Sequence, residues 1–218
     1  MTFQTMLLML ARGFLQTLVI FSLTLVGSLP LGILVYFGRK SRFRPLAWLI
    51  RIYISIMRGT PLILQLMVVY YGPNLVFGLT PPQNWRFLAA IIAFVINYAA
   101  YFAEIYRGGI ESIPVGQYEA AEVLGYGRCQ TFCKIILPQM IKRVLPSVTN
   151  EVITLVKDTS IAYIIGYVEM FTRAKQIACS PNTPGMWAFV VAAVFYYVFN
   201  YIVAAVMEAI ERRLRYYQ

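Results

Sequence analysis

The sequence predicts an all-α membrane protein with five transmembrane helices. Its composition, the length of its apolar runs and the placement of its basic residues support this prediction. Of the 218 residues, 60% are hydrophobic and 13% are charged, whereas a soluble globular chain is about 45–50% apolar and about 25% charged. This balance excludes an intrinsically disordered chain and disfavours a soluble enzyme. Helices are favoured because a spanning helix satisfies its backbone polar groups internally.

Five apolar runs are long enough to cross a bilayer, which takes about 20 residues in a helix. The first is too long for the apolar region of a signal peptide, about 7–15 residues. The second contains Arg51, Arg58 and a Gly59–Pro61 break. A polar segment with glycine and proline breaks is predicted to form a helical hairpin outside the membrane at 107–143. The predicted spans, all in one domain of residues 1–218, are 13–38, 46–76, 87–106, 144–168 and 186–207.

The basic residues predict the orientation of the spans, because cytoplasmic loops carry an excess of Lys and Arg. Arg51, Arg58 and Lys157 lie inside predicted spans and are left out. The segment 39–44, the hairpin and the C-terminal tail then hold 12 basic residues, and the opposite side holds four. We therefore expect the N-terminus outside and the hairpin and C-terminus in the cytoplasm. The same distribution accounts for the net charge of +10, so we expect no nucleic acid as a partner.

Few residues in the sequence could support catalysis or metal binding. The chain has no histidine and three cysteines, which excludes imidazole catalysis and histidine metal ligands. Cys129 and Cys133 lie four residues apart without other soft ligands nearby, so we predict no metal site. The chain also lacks a Gly-x4-Gly-Lys-Ser/Thr phosphate loop, so we do not expect it to bind ATP in that way or to be an enzyme.

The hairpin carries the most specific pattern in the sequence. The pattern begins with Glu119-Ala120-Ala121. Three residues separate it from Gly125, nine more separate Gly125 from Ile135, and one separates Ile135 from Leu137-Pro138. The two alanines let another backbone approach closely, and Gly125 breaks the first helix. Pro138 marks where the second helix ends or kinks. A hairpin of this kind is either a docking surface for a cytoplasmic partner or a solvated connector.

This spacing resembles the signature loop of the permease subunits of ABC importers. Three further segments are similar to the polar amino acid branch of that family: Arg58-Gly59-Thr60-Pro61-Leu62, Asn97 to Glu104 running into Arg107-Gly108-Gly109-Ile110, and Lys157-Asp158-Thr159-Ser160. The resemblance covers essentially the whole chain. It implies the type I ABC importer permease fold, with five spans per subunit.

The resemblance also implies partners and a location. Such an importer contains two permease subunits of the same or related sequence, two ATP-binding cassette ATPase subunits and an extracytoplasmic solute-binding protein, in the bacterial cytoplasmic (inner) membrane. ATP and Mg would bind to the ATPase subunit, and this chain would bind no cofactor. Coupling to the ATPase would fall on Glu119, Ala120, Ala121, Gly125, Leu137 and Pro138.

Polar residues inside the spans are the candidates for a substrate pathway, since ionisable groups in a membrane are costly unless they face a partner, water or substrate. Ser147, Glu151, Thr154 and Asp158 share one face of the fourth span. This stripe would line either the interface of two subunits or the cavity between them. Asp158 either contacts substrate or pairs with Lys157 or a neighbouring subunit. The candidate pathway residues are Tyr98, Tyr101, Glu151, Thr154, Asp158 and Thr159.

Arg58 lies inside the second predicted span, where an unpaired guanidinium costs about 2.5–3.5 kcal/mol on insertion scales. Glu104 is the first candidate partner and Glu151 the second. The remaining alternative is an arginine that extends to the cytoplasmic headgroups without a protein partner. Glu104 is within reach only if the first half of the second span runs obliquely and ends at the Gly59–Pro61 break.

Together these observations favour the membrane-spanning permease subunit of an ATP-driven importer for a polar amino acid. One alternative is the same architecture serving another small solute. A different class of alternative is a self-sufficient secondary transporter or channel. The docking hairpin and the lack of visible internal inverted repeats argue against that class.

Overall fold

The computed structural model describes residues 2–181 and 185–214, and the regular secondary structure of these residues is helical, with no strand among them. Arg215, one of the tail cations counted above, lies outside the described residues. A π-helix, Phe132–Ile136, precedes α7, and a 3-10 helix, Thr159–Ile165, follows it. The α-helices are α1 Phe3–Arg39, α2 Arg44–Gly59, α3 Leu62–Phe77, α4 Trp85–Glu111, α5 Val115–Val123, α6 Arg128–Thr131, α7 Leu137–Asp158, α8 Met170–Ala178 and α9 Met186–Leu214.

Three of the helices in the described part of the chain are long and apolar enough to cross a membrane, namely α1, α4 and α9. The pair α2 and α3 also qualifies when taken together, but the two helices meet at a bend of 113°. The 22-residue helix α7 is not among them, and it carries five ionisable side chains. By length and composition the described residues therefore hold three spanning helices, or four with the bent pair.

Several helices extend beyond the predicted spans. The first helix begins at Phe3 and not at residue 13, because the Thr2 side chain caps it by accepting a hydrogen bond from the Thr5 N–H at 3.4 Å. The helices on either side of the predicted hairpin are also longer than the spans: α4 continues to Glu111, and α7 already begins at Leu137. The segment between them is therefore 112–136, shorter than the predicted 107–143. Arg and Glu end an apolar run but favour a helix, so charge marked the spans and not the helix ends.

The segment between the fourth and fifth predicted spans contains α8, a helix that the sequence analysis did not predict. Its N-terminus is capped by Glu169, whose carboxylate accepts hydrogen bonds from the N–H groups of Phe171 and Thr172, both at 2.7 Å. Tyr196 of α9 also donates its hydroxyl proton to Glu169, at 3.1 Å. This cap was missed because helix N-caps are usually Ser, Thr, Asp or Asn.

Helices α1 and α4 form the centre of the fold and run parallel. Gly27 lies beside Val95, and further along both helices Gly32 lies beside Phe102. A Cβ atom on Gly32 would stand 2.9 Å from the Phe102 Cβ, so the two backbones approach as closely as small residues allow in membrane helices. The C-terminal ends of α1 and α4 therefore lie on the same side of the molecule, and that side carries the candidate site.

Candidate functional site

The predicted coupling residues Glu119 and Ala120 are exposed on α5, whereas Ala121 is fully buried. Gly125 follows the helix with φ +74°. Its N–H donates to the Glu122 carbonyl at 2.9 Å, and the Tyr126 N–H donates to the Ala121 carbonyl at 3.0 Å. This pair of bonds is the Schellman motif, which needs a residue in the left-handed region. The predicted helix break at Gly125 is confirmed.

The hairpin exposes apolar side chains at the start of α5 and at this turn. Val115, Val123 and Leu124 are 69%, 87% and 72% exposed, and no atom lies within 4 Å of a Cβ placed on Gly125. Exposed apolar groups that cluster on a polar surface are typical of a protein interaction site. The tip of the hairpin therefore presents apolar side chains to its surroundings, which is consistent with a docking surface.

The sequence predicted that the second helix of the hairpin ends or kinks at Pro138, but a helix continues through this residue. Pro138 is exposed in the first turn of α7, where a missing N–H costs little, and Leu137 beside it is half-buried. The irregularity lies just before it, in the π-helix Phe132–Ile136. The helical hydrogen-bond pattern therefore changes directly before Pro138, a residue with no N–H to donate to the preceding turn.

Glu104 in α4 is the centre of an ionic cluster. Its carboxylate contacts the guanidinium groups of Arg39, Arg58 and Arg107, with distances of 3.6 Å to Arg58 and 2.8 Å to Arg107. Arg107 also pairs with Glu111. The predicted contact between Arg58 and Glu104 is present, but Arg39 and Arg107 bind the carboxylate more closely. Arg39 could not be anticipated, because its approach depends on the parallel packing of α1 and α4.

A neutral network holds the bend between α2 and α3. The Met57 carbonyl would pair with the N–H of the residue four positions later, but that residue is Pro61, which has none. The side chains of Gln65 and Asn97 donate to this carbonyl at 2.9 and 3.2 Å, and Asn97 also donates to the Gln65 side chain at 2.8 Å. Gln65 was missed by the sequence analysis, although a proline four residues after Met57 signals an orphaned carbonyl.

Tyr98 and Asp158 meet between α4 and α7. The Tyr98 hydroxyl donates to Asp158 Oδ2 at 2.7 Å, and Tyr98 is only 2% exposed. Within residues 2–181 and 185–214, the ion pairs do not include Asp158, and Lys157 is exposed. Thr159 is fully buried and donates its hydroxyl proton to the Val156 carbonyl at 2.7 Å.

A polar crevice of about 450 Å³ lies between α4 and α7. It brings together Arg58, Tyr101, Glu104 and Glu151 in its lining. The Arg58 guanidinium carbon stands 5.6 Å from the centre of the Tyr101 ring, within the range of a cation–π contact. Thr154 is exposed one turn beyond Glu151. The lining also includes Arg107 and Arg143, so the crevice offers three cations, two carboxylates and an aromatic ring.

Metal ligands are sparse in the part of the chain that the structure describes. It contains no group of three or more His, Cys, Asp or Glu side chains that could hold a metal ion. Cys129, Cys133 and Cys179 are exposed and form no disulfide.

The chain matches the family described as "Binding-protein-dependent transport system inner membrane component" over residues 28–216. It belongs to this family. The matched residues include the hairpin, the ionic cluster and the crevice. Together with its apolar helices, the family places the chain among multi-pass membrane proteins.

Two relatives and one solved structure match this chain over nearly its whole length. The arginine transport system permease protein ArtQ of Bacillus subtilis (strain 168) is 37% identical over 204 residues, which are 94% of this chain and 91% of ArtQ. The L-cystine transport system permease protein TcyB of the same organism is 34% identical over 209 residues, 95% of this chain and 87% of TcyB. A crystal structure of an amino acid ABC transporter with histidines superimposes with a TM-score of 0.87 at 30% identity, covering 98% of this chain and 99% of that one.

Proposed function

We propose that this chain is the permease subunit of an ATP-driven importer that carries a polar amino acid across the bacterial cytoplasmic (inner) membrane. The observation that carries the proposal is the likeness, over nearly its full length, to an amino acid ABC transporter and to permeases named for arginine and cystine. Because those two relatives are named for different solutes, the proposal is limited to the class of polar amino acids. ATP and Mg would bind to a partner ATPase, and this chain would hold no cofactor.

In the proposed topology the chain crosses the membrane five times, through α1, the bent pair α2–α3, α4, α7 and α9. The parallel packing of α1 and α4 supports it, since two parallel spans must be separated by one antiparallel crossing. As a 22-residue helix, α7 is about 33 Å long. It buries Val144, Val152 and Leu155 and leaves its polar face outward. A second permease subunit or a water-filled cavity would cover that face, with the N-terminus outside and the C-terminus in the cytoplasm.

The hairpin would couple this subunit to the ATPase. Its exposed Val123 and Leu124 would enter a cleft on the ATPase beside Glu119, and the open space at Gly125 would let the partner approach the backbone. Alternating access would follow from two packings of the dimer of permease subunits. A solute-binding protein on the opposite side would deliver the amino acid.

The crevice supports an amino acid as the solute. A zwitterion carries an ammonium and a carboxylate, and Arg58 and Glu151 offer the opposite charge to each at one site.

A cysteine at Thr154, which is exposed on the polar face, should react with small hydrophilic thiol reagents or cross-link to the second permease subunit. The matched control is Leu155→Cys, which is fully buried and should not react. Equal labelling of both would place α7 in another orientation.

Uptake in proteoliposomes tests the proposed function. The chain is reconstituted with its partner ATPase and binding protein, and a panel of radiolabelled amino acids is offered outside with ATP inside. We expect uptake of a polar amino acid that requires both ATP hydrolysis and the loaded binding protein. Uptake driven by an ion gradient without ATP would show a secondary transporter instead. ATP-driven uptake of a solute other than an amino acid would retain the architecture and reject the solute class.

A further inference from the structure

A cleft of about 650 Å³ lies between the C-terminal end of α1, the first half of α2 and the last turns of α4. Its lining shares a single residue, Arg107, with the crevice between α4 and α7. Five basic side chains line it, together with one carboxylate: Arg39, Lys40, Arg44, Arg51, Arg107 and Glu111. A cavity with this composition attracts an anion.

Only part of this positive charge is neutralised within the chain. Arg107 pairs with both Glu104 and Glu111, and Arg39 pairs with Glu104. The ion pairs formed among the described residues do not include Lys40, Arg44 or Arg51. Three cations therefore face the cleft without a carboxylate.

The first turn of α2 adds to the attraction. This 16-residue helix begins at Arg44, at the edge of the cleft, and has no side-chain cap at Phe43. The N–H groups of an uncapped first turn carry partial positive charge. The N-terminus of α2 and the basic side chains therefore both favour a negatively charged ligand.

The surroundings of the cleft are those of a membrane surface. Trp48 lines the cleft and is 62% exposed, and Phe43 and Leu49 beside it are also exposed. Tryptophan is enriched where a membrane protein crosses the headgroup region. Basic pockets between helices on the cytoplasmic side are typical sites for anionic lipid headgroups. A soluble anion would use the cations but would not need the apolar border.

We propose that this cleft binds the headgroup phosphate of an anionic phospholipid, with its acyl chains against the exposed apolar side chains of α2. This proposal rests on the proposed orientation, in which the C-terminal ends of α1 and α4 lie at the cytoplasmic face. Arg44 and Arg51 hold the phosphate, and Arg39 and Arg107 connect the headgroup to the ionic cluster at Glu104. Lipid composition would therefore act on the same cluster that holds Arg58.

Lipid binding to the purified, delipidated transport complex tests the proposal. Native mass spectrometry would follow titration with phosphatidylglycerol and, in parallel, with phosphatidylcholine. We expect phosphatidylglycerol, but not phosphatidylcholine, to bind at a saturable site. The double variant Arg44→Gln/Arg51→Gln should weaken that binding about thirtyfold, from the contribution of two basic residues near an anionic headgroup. Both side chains are exposed, so the variant is expected to fold.

Matched variants make the lipid result specific. Arg42→Gln/Arg128→Gln removes two exposed charges outside the cleft lining and should leave lipid binding unchanged. Arg44→Lys/Arg51→Lys should restore most of the affinity. Equal weakening in the Arg42/Arg128 pair, or binding that inorganic phosphate displaces at a similar concentration, would overturn a headgroup site. A Trp48→Cys that cross-links to the second permease subunit would identify the cleft as a subunit interface and also overturn it.

These outcomes are independent of the proposed transport function. Lipid binding is read from the mass of the complex and requires no uptake. Normal ATP-driven uptake with unchanged lipid binding in the double variant would reject the lipid site and keep the importer. Selective loss of lipid binding in the double variant of a complex that fails to import any amino acid would keep the lipid site and reject the proposed transport function.

Discussion

Two polar groups on the same face of α4, Asn97 and Glu104, lie two helical turns apart and hold the molecule in different ways. Asn97 is 4% exposed and belongs to a neutral network whose bonds replace a missing backbone N–H. Glu104 is joined to three arginines, and Arg58 among them is 46% exposed. The neutral network is buried and fixed by backbone geometry, whereas the ionic cluster borders two open cavities.

This difference has a physical origin. A bend inside an apolar environment must satisfy every backbone group that it disrupts, and the amides of Gln65 and Asn97 do this without the desolvation cost of an ion. An ion pair at a water-filled edge keeps part of its hydration and loses strength to salt. The amide network should therefore govern stability, and the ionic cluster should respond to charge and ligands.

The largest effect on stability is expected from Asn97→Leu. The substitution leaves the Gln65 side-chain oxygen without its donor from Asn97 and removes one donor from the Met57 carbonyl, and we expect a loss of about 2 kcal/mol. Thermal unfolding of the purified protein in detergent measures this loss. Asn150→Leu, the same change at an exposed position of α7, is the control and should cost much less. Equal losses would show that the Asn97 network contributes nothing specific.

The sequence anticipated part of this comparison. The break at Gly59–Pro61 and the contact between Arg58 and Glu104 follow from proline chemistry and from the cost of an unpaired charge. The partners Gln65 and Arg39 do not, because they depend on which helices pack together and in which direction. Periodicity and charge describe each helix alone, so they give the polar face of α7 but not what that face meets.

A moderate effect is expected from Glu104→Gln. Three guanidinium groups would then surround a neutral amide, and we expect a loss of roughly 1 kcal/mol, between exposed and buried ion pairs. The stability difference from the unmodified protein should shrink when thermal unfolding is repeated in about 1 M salt, because the lost attraction is screened there. The loss from Asn97→Leu should not change with salt. If both variants respond alike to salt, the distinction between a neutral and an ionic site fails.

The smallest effect is expected from Arg58→Gln. Its guanidinium is the farthest of the three from Glu104, at 3.6 Å, and we expect about 0.5 kcal/mol. Arg39→Gln should cost more, because Arg39 is less exposed and bonds Glu104 directly. The charge swap Arg58→Glu with Glu104→Arg should recover only a small part of the two single losses, since Arg39 and Arg107 remain. Full recovery would make Arg58 the main partner of Glu104 and contradict the observed order.

The most direct test of the central claim, that the hairpin couples this permease to an ATPase, compares two substitutions at Gly125. Its φ of +74° strains any side chain, but asparagine tolerates this region far better than valine. Uptake and substrate-stimulated ATP hydrolysis would be measured together in proteoliposomes with the partner subunits. We predict that Gly125→Val loses most uptake and stimulation while the subunit still inserts, and that Gly125→Asn keeps a larger share of both. Normal coupling in Gly125→Val would contradict the account.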